Sequence, residues 1–244
     1  MTGMNKLDEA QKPGLPGIVL SSDGLGRTRA DVAVIFARAD SIYKTMPGVD
    51  VYDMERDART YDGPWPVVAH PPCRAWGRLR HMANPRSDER NLARLAVALV
   101  REFGGVLEHP AASTLWTAQR LPAPGQRDGM GGWTLGITQH WWGHRATKAT
   151  LLYVVGCEPN EIPPLPALRL GEGTHVIAQD IRLPDGSRMR TGDPRKKPQT
   201  THAEREHTPP ELALWLVALA RRCSVRSNVG LERLAFGQSA RRQG

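Results

Sequence analysis

A thiol that follows two prolines is the most pointed chemical feature of this chain, in His70-Pro71-Pro72-Cys73-Arg74-Ala75-Trp76. Paired prolines restrict φ and remove backbone donors, so they stiffen the end of a strand and project the next side chain off the sheet. A cysteine placed there, beside Arg74 and a helix N-terminus, is expected to have a lowered pKa and to act as a thiolate nucleophile. The same residues also read as a partly buried cysteine in a proline turn. A second feature is Gly104-Gly105-Val106-Leu107-Glu108-His109-Pro110. A carboxyl group ending a buried strand loses hydration, which raises its pKa and suits Glu108 to give and take a proton. The plainer reading is a surface glutamate beside a turn proline. Third, Arg145 and Lys148 stand in Trp141-Trp142-Gly143-His144-Arg145-Ala146-Thr147-Lys148-Ala149-Thr150, ahead of an apolar run. Cations just before a strand can hold a phosphate or a polarised base oxygen; otherwise this is a solvated loop around two core tryptophans.

These groups need elements to position them. Short apolar, β-branched runs predict strands at Val32–Phe36, Val49–Asp53, Pro66–His70, Val106–Glu108 and Thr150–Val155. Between the third and fourth, Leu92, Leu95, Ala96, Leu99 and Val100 share one face of a helix predicted over Asp88–Glu102. A helical turn capped by Asp40 or Ser41 follows the first strand, and Pro209-Pro210 opens a last helix with Leu212, Leu214, Trp215, Leu216 and Leu219 on its apolar stripe. Strands alternating with helical segments predict an α/β fold with a mainly parallel sheet. In such sheets ligands bind beyond the carboxyl ends of the strands. Asp53, Cys73 and Glu108 all fall at or just past predicted strand ends.

The chain of 244 residues divides into an extension (1–30), an α/β core (31–156), a small irregular basic segment (157–206), a helix returning to the core (207–223) and a basic tail (224–244). Net charge is +8 and the isoelectric point is near 9.9, which favours an anionic partner, nucleic acid first. Arg182, Arg188, Arg190, Arg195, Lys196, Lys197 and Arg205 concentrate that charge, against Asp185, Asp193 and Glu204. No apolar run approaches a membrane span, and Met1–Pro16 is too polar for a secretory signal. Cys73, Cys157 and Cys223 are too widely spaced for a zinc ribbon or a disulfide framework. A reduced, cytoplasmic protein is expected.

In order, these features resemble the DNA (cytosine-5) methyltransferase family. The family's Pro-Pro-Cys-Gln-x-aromatic motif is similar to Pro71-Pro72-Cys73-Arg74-Ala75-Trp76, and its Glu-Asn-Val motif to Glu108-His109-Pro110. Its basic loop before a hydrophobic strand is similar to Gly143–Val155, with Lys148 at the place of the first arginine. Its late Gly-Asn-Ala-Val-Pro-Pro helix start resembles His207-Thr208-Pro209-Pro210. The resemblance covers roughly residues 32–222 and puts the basic segment where the family has its target-recognition region. It implies a Rossmann-like methyltransferase fold with helices on both faces, and C5 modification of cytosine in DNA. Cys73 would add to C6 while Glu108 protonates N3, assisted by Lys148 and Arg145. The methyl donor would be S-adenosylmethionine, held by Ser41, Asp53 and Asp57. Arg74, Arg78, Arg188, Arg190, Arg195, Lys196 and Lys197 would contact DNA. Compactness resembles phage or prophage enzymes, acting in a bacterial host's cytoplasm, and implies no stable protein partner.

The chain departs from the family's pattern in three places. No Phe-x-Gly-x-Gly loop follows Val32–Phe36, where Ala37-Arg38-Ala39-Asp40-Ser41 stands instead, and the link to Val49 is short, so the cofactor half is abbreviated. Asp23-Gly24-Leu25-Gly26 resembles that loop but lacks room for a helix before the next strand. Arg74 replaces glutamine, and Gln-x-Arg-x-Arg reads Ala146-Thr147-Lys148-Ala149-Thr150. Competing readings are a catalytically altered relative that binds nucleic acid, and a C5-modifying enzyme acting on free pyrimidine nucleotides or with another donor. His202-Ala203-Glu204 resembles the His-x-Glu of zinc deaminases, but the required downstream Pro-Cys-x-x-Cys is missing. A metal site drawn from His70, Cys73, His109, His140 and His144 needs a helix that Trp141-Trp142-Gly143 argues against, so no metal is expected.

Overall fold

The computed structural model describes residues 29–169, 171–177, 183–190 and 192–223. Most of the expected extension, all of the basic tail and Arg182 lie outside the described residues. In chain order the elements are β1 (Val32–Ile35), β2 (Val49–Tyr52), β3 (Val67–Ala69), α1 (Glu89–Phe103), β4 (Gly105–Pro110), α2 (Leu115–Ala118), β5 (Trp133–Thr138), β6 (Ala149–Val155), α3 (His202–Glu206) and α4 (Pro210–Ala220).

The strands form one sheet in the order β2-β1-β3-β4-β6-β5. The pairings among β2, β1, β3 and β4 are parallel, whereas β6 runs against β4 and β5 against β6. The fold is therefore α/β with a mixed sheet: the expected parallel pairing holds from β2 through β4, and β6 alone runs against the rest. β5 was not among the expected strands, although Trp133, Leu135 and Ile137 alternate with Thr134, Gly136 and Thr138. An interior glycine and the preceding Gly-Met-Gly-Gly run mask that period-two signal.

Alternation of side chains across the sheet makes two cores. On one face α1 covers β3, β4 and β6, with Ala96, Val97 and Val100 meeting Ala33, Val67 and Leu107. On the other, α4 packs Leu212, Leu216 and Leu219 against Val68, Val106 and Val154. α4 starts at the expected double proline and buries most of its circumference, but Leu214, expected on the apolar stripe, faces outward and is exposed. α1 ends where Gly104 takes φ 78° and returns its N–H to the Val100 carbonyl. Gly105 follows at φ 115°, where an added Cβ would sit 2.0 Å from the Val67 carbonyl oxygen. Only glycine permits that approach of β4 to β3.

The link from β1 to β2 crosses the α4 face through one 3₁₀ turn, Ile42–Thr45, capped by Ser41 as expected. The chain then returns along the α1 face through Ala58 and Tyr61, and β3 joins β1 on its other edge. The order of strand addition therefore reverses between β1 and β3, and a crevice opens beyond their carboxyl ends. Among the described residues no helix is long and apolar enough to cross a membrane.

Candidate active site

That crevice is a cavity of about 1220 Å³, and Cys73, Glu108, His70, Lys148, Tyr43 and Asp53 all line it. The register explains the convergence. β3 pairs with β4 so that Val68 lies beside Val106 and Ala69 beside Leu107, which carries His70 next to Glu108. Val68 and Val106 face α4, so two residues on His70 and Glu108 face the same side. β6 brings a third member: Leu152 opposes Glu108, and Thr150 and Lys148 follow on the same face at steps of two.

Glu108 is gripped from two directions. His70 Nδ1 lies 3.1 Å from its Oε2, and Gln139 Nε2 donates to its Oε1 at 2.9 Å. Gln139 is fully buried at the turn after β5 and also reaches Thr150 Oγ1 at 3.3 Å. Behind His70, Tyr43 Oη stands 2.9 Å from Nε2. A tyrosine hydroxyl held protonated by burial donates to Nε2, which leaves Nδ1 as the N–H that faces the carboxylate. Burial pushes the Glu108 carboxyl up, as expected from sequence, but the His70 hydrogen bond and the Lys148 charge outweigh it. The net effect holds Glu108 below the usual carboxylate range, so the expectation of a raised pKa is corrected: at rest this group is a carboxylate.

Cys73 is corrected in the opposite sense. The residue is exposed at the cavity wall, so its sulfur is within reach of a ligand. Protein packed around it, followed by the Glu108 charge, nevertheless pushes the thiol up, against a smaller opposing effect of Lys148. Arg74 does not activate it. Its guanidinium is committed to Glu89, a fully buried carboxylate in the first turn of α1. The Cys73 carbonyl instead anchors its turn, accepting from Trp76 N at 3.0 Å and Gly77 N at 2.8 Å. Buried Trp76 is then covered by Arg90 and Arg94.

The two expected cations separate. Lys148 lines the cavity and donates to the Arg205 carbonyl at 3.0 Å. Arg145 does not line it; its fork grips Glu204 of α3, and its Nη1 lies 3.1 Å from His175 Nε2. It joins the loop before β6 to α3 rather than facing a substrate. The rim is closed by Arg38, which pairs with Asp40 and Glu206, and by His207, whose Nε2 lies 3.2 Å from Asp40.

Ser41, Asp53 and Asp57 also line the cavity, but each already has local work. Ser41 caps the 3₁₀ turn, and Asp57 caps a second one at Ala58–Thr60 while pairing with Arg59. Asp53 accepts from the backbone N–H groups of Glu55 and Arg56 and pairs with Lys44 at 2.6 Å, interactions that lower its pKa to about 2. Of the residues expected at DNA, Arg78, Arg188 and Arg190 are exposed, and Arg195 and Lys197 are paired with Asp193 and Glu172. Lys196 is half-buried beside them. His140 stands in a single 3₁₀ turn, Gln139–Trp142, which ends at Gly143 before His144, so the helix that would carry both histidines on one face does not form. Among the described residues no group of three or more His, Cys, Asp or Glu side chains is arranged to hold a metal ion.

Sequence reasoning left His70 outside the expected site, and Tyr43 and Gln139 went unremarked. His70 was findable, because it continues the period of two through Val68 at the end of a strand. Gln139 was not, since it depends on the unexpected β5. No protein-family model matches the chain, and no curated protein matches it.

Proposed function

We propose that this protein modifies cytosine at C5 in DNA, with Cys73 as nucleophile and Glu108 as the group that serves N3. One observation carries the proposal: an exposed thiol and a doubly hydrogen-bonded carboxylate from adjacent strand ends share one cavity with a lysine, at the point where the order of strand addition reverses. Cys73 Sγ loses its proton and bonds to C6. The C5–C6 electron pair shifts into the ring, and N3 takes up a proton at Glu108, which leaves C5 nucleophilic. After C5 has gained its one-carbon group, its hydrogen leaves as a proton, the S–C6 bond breaks and the thiolate departs. Lys148 offsets negative charge on both protein groups.

The cavity suits S-adenosylmethionine in volume. Its space exceeds what a single small ligand needs, and Asp53, Asp57 and Asp88 line it although each is already paired with a lysine or arginine. When bound, that donor supplies an electrophilic methyl group. Phe36 adopts φ 62° at the end of β1, so the chain turns there without the family's glycines. The exposed Arg78 and Arg190 supply charge for the phosphate backbone. A Rossmann-like methyltransferase fold is part of this proposal, supported by the parallel strands and by helices on both faces.

The test is covalent trapping. Duplex DNA containing 5-fluorocytosine, incubated with the protein and S-adenosylmethionine, is expected to give an adduct at Cys73 by peptide mass spectrometry. Cys73→Ser should bind the same DNA and form none. DNA binding without an adduct under every condition would overturn the enzymatic reading in favour of a binding protein. An adduct that forms only with free fluoropyrimidine nucleotides would reassign the substrate.

A further inference from the structure

His70 occupies a place that packing alone does not explain. It joins a buried tyrosine to the carboxylate proposed to serve the base, with both ring nitrogens engaged. At rest the protons lie the wrong way round for attack on a pyrimidine: the thiol holds one and Glu108 does not. N3 must then draw its proton from another source next to Glu108, and the imidazole is the titratable group in hydrogen-bond contact with that carboxylate.

We propose that His70 is a positioning residue that stores the proton Glu108 passes to N3, with Tyr43 as the partner that lets the imidazole change charge. This rests on the functional reading above. In the charged ring both nitrogens carry protons, Nδ1–H toward Glu108 and Nε2–H toward Tyr43 Oη. As Sγ bonds to C6, the Nδ1 proton moves to Glu108 and on to N3, and the thiol proton is lost to water. The neutral ring keeps Nε2–H on Tyr43 Oη, an oxygen that also accepts from Thr208. At elimination the N3 proton returns by the same path. Tyr43 suits this role because a phenol both donates and accepts. A lysine there could only repel the charged ring, and an apolar residue would strand Nε2.

Tyr43 from the 3₁₀ turn and Glu108 from β4 touch the ring, and Cys73 from its own turn, Lys148 ahead of β6, Glu206 from α3 and Thr208 ahead of α4 line the same cavity. Single-turnover methyl transfer to cytosine-containing duplex DNA is therefore expected to rise with pH as the thiol ionises and to fall as the imidazole loses its proton. His70→Asn keeps an N–H toward Glu108 but cannot store a proton. It should be slower by about 10²-fold or more and lose the descending limb. Tyr43→Phe should keep both limbs and lose roughly tenfold. A slower His70→Asn whose profile retains that limb would overturn the proposal, because a purely structural histidine changes rate without changing shape.

If the wild type neither methylates DNA nor forms an adduct, the functional reading fails first, and nitrogen NMR of the His70 ring still decides this one. In the unliganded protein the ring should take up a second proton on acidification while Glu108 stays ionised, so that both nitrogens carry hydrogen. A ring that stays singly protonated throughout would overturn the relay whatever the reaction.

Discussion

The two ends of the β3–β4 pair are built for opposite purposes. At the amino end Gly105 closes so tightly on Val67 that no side chain can be added. At the carboxyl end, a few residues along the same ladder, His70 and Glu108 face a cavity of about 1220 Å³ and present polar atoms to it. One end fixes register through backbone contact, and the other uses that register to set two side chains in hydrogen-bond range. Rigidity and reactivity are thus separated along single strands, and a change at either end should be readable by different measurements.

The largest effect is expected at the reactive end. Glu108→Gln keeps the shape and the acceptor for His70 Nδ1 but cannot pass a proton, so adduct formation and turnover should fall about 10²–10⁴-fold. The urea midpoint should barely move; a large loss of stability would show that the carboxylate is structural. At the rigid end, Gly105→Ala should cost more than about 3 kcal/mol, by backbone clash and by the strain of φ 115°. Urea unfolding measures it, and a loss below about 1 kcal/mol would mean that the two strands can part without penalty.

His109 sharpens the contrast from within the same strand. It points away from Glu108 to the α1 face, fully buried near Trp116, and its ring nitrogens make no well-formed hydrogen bond. Burial lowers its pKa to about 4. In that case the unfolded chain binds a proton below about 6.5 that the folded chain refuses until about 4. Stability should therefore fall as pH drops through that window, by roughly 3 kcal/mol in all. His109→Gln should remove most of this acid sensitivity, as urea midpoints at pH 7 and pH 4.5 would report. An unchanged pH dependence would place the acid-sensitive group elsewhere.

Much of the scaffold was legible because it rests on local pattern. The apolar runs of β1 to β4 and β6, the face of α1 and the double proline of α4 each carry their own signal. β5 was hidden by glycine, and its absence made the sheet look more parallel than it is. Cys73 and Glu108 were legible as residues but not as protonation states. Those states depend on His70 across the β3–β4 ladder, on Lys148 across β6 and on the loss of Arg74 to Glu89, none of which local spacing encodes. Arg145 was misplaced for the same reason, since the acid that claims it lies on α3.

Because β6 runs opposite to its neighbour, residues that precede it in sequence meet residues that conclude β4. Lys148 reaches Glu108 only through this inversion; a strand of seven residues laid the other way would leave that ammonium roughly 20 Å off, on the far rim. The direction of one strand therefore decides whether the acid and thiol share the Lys148 ammonium.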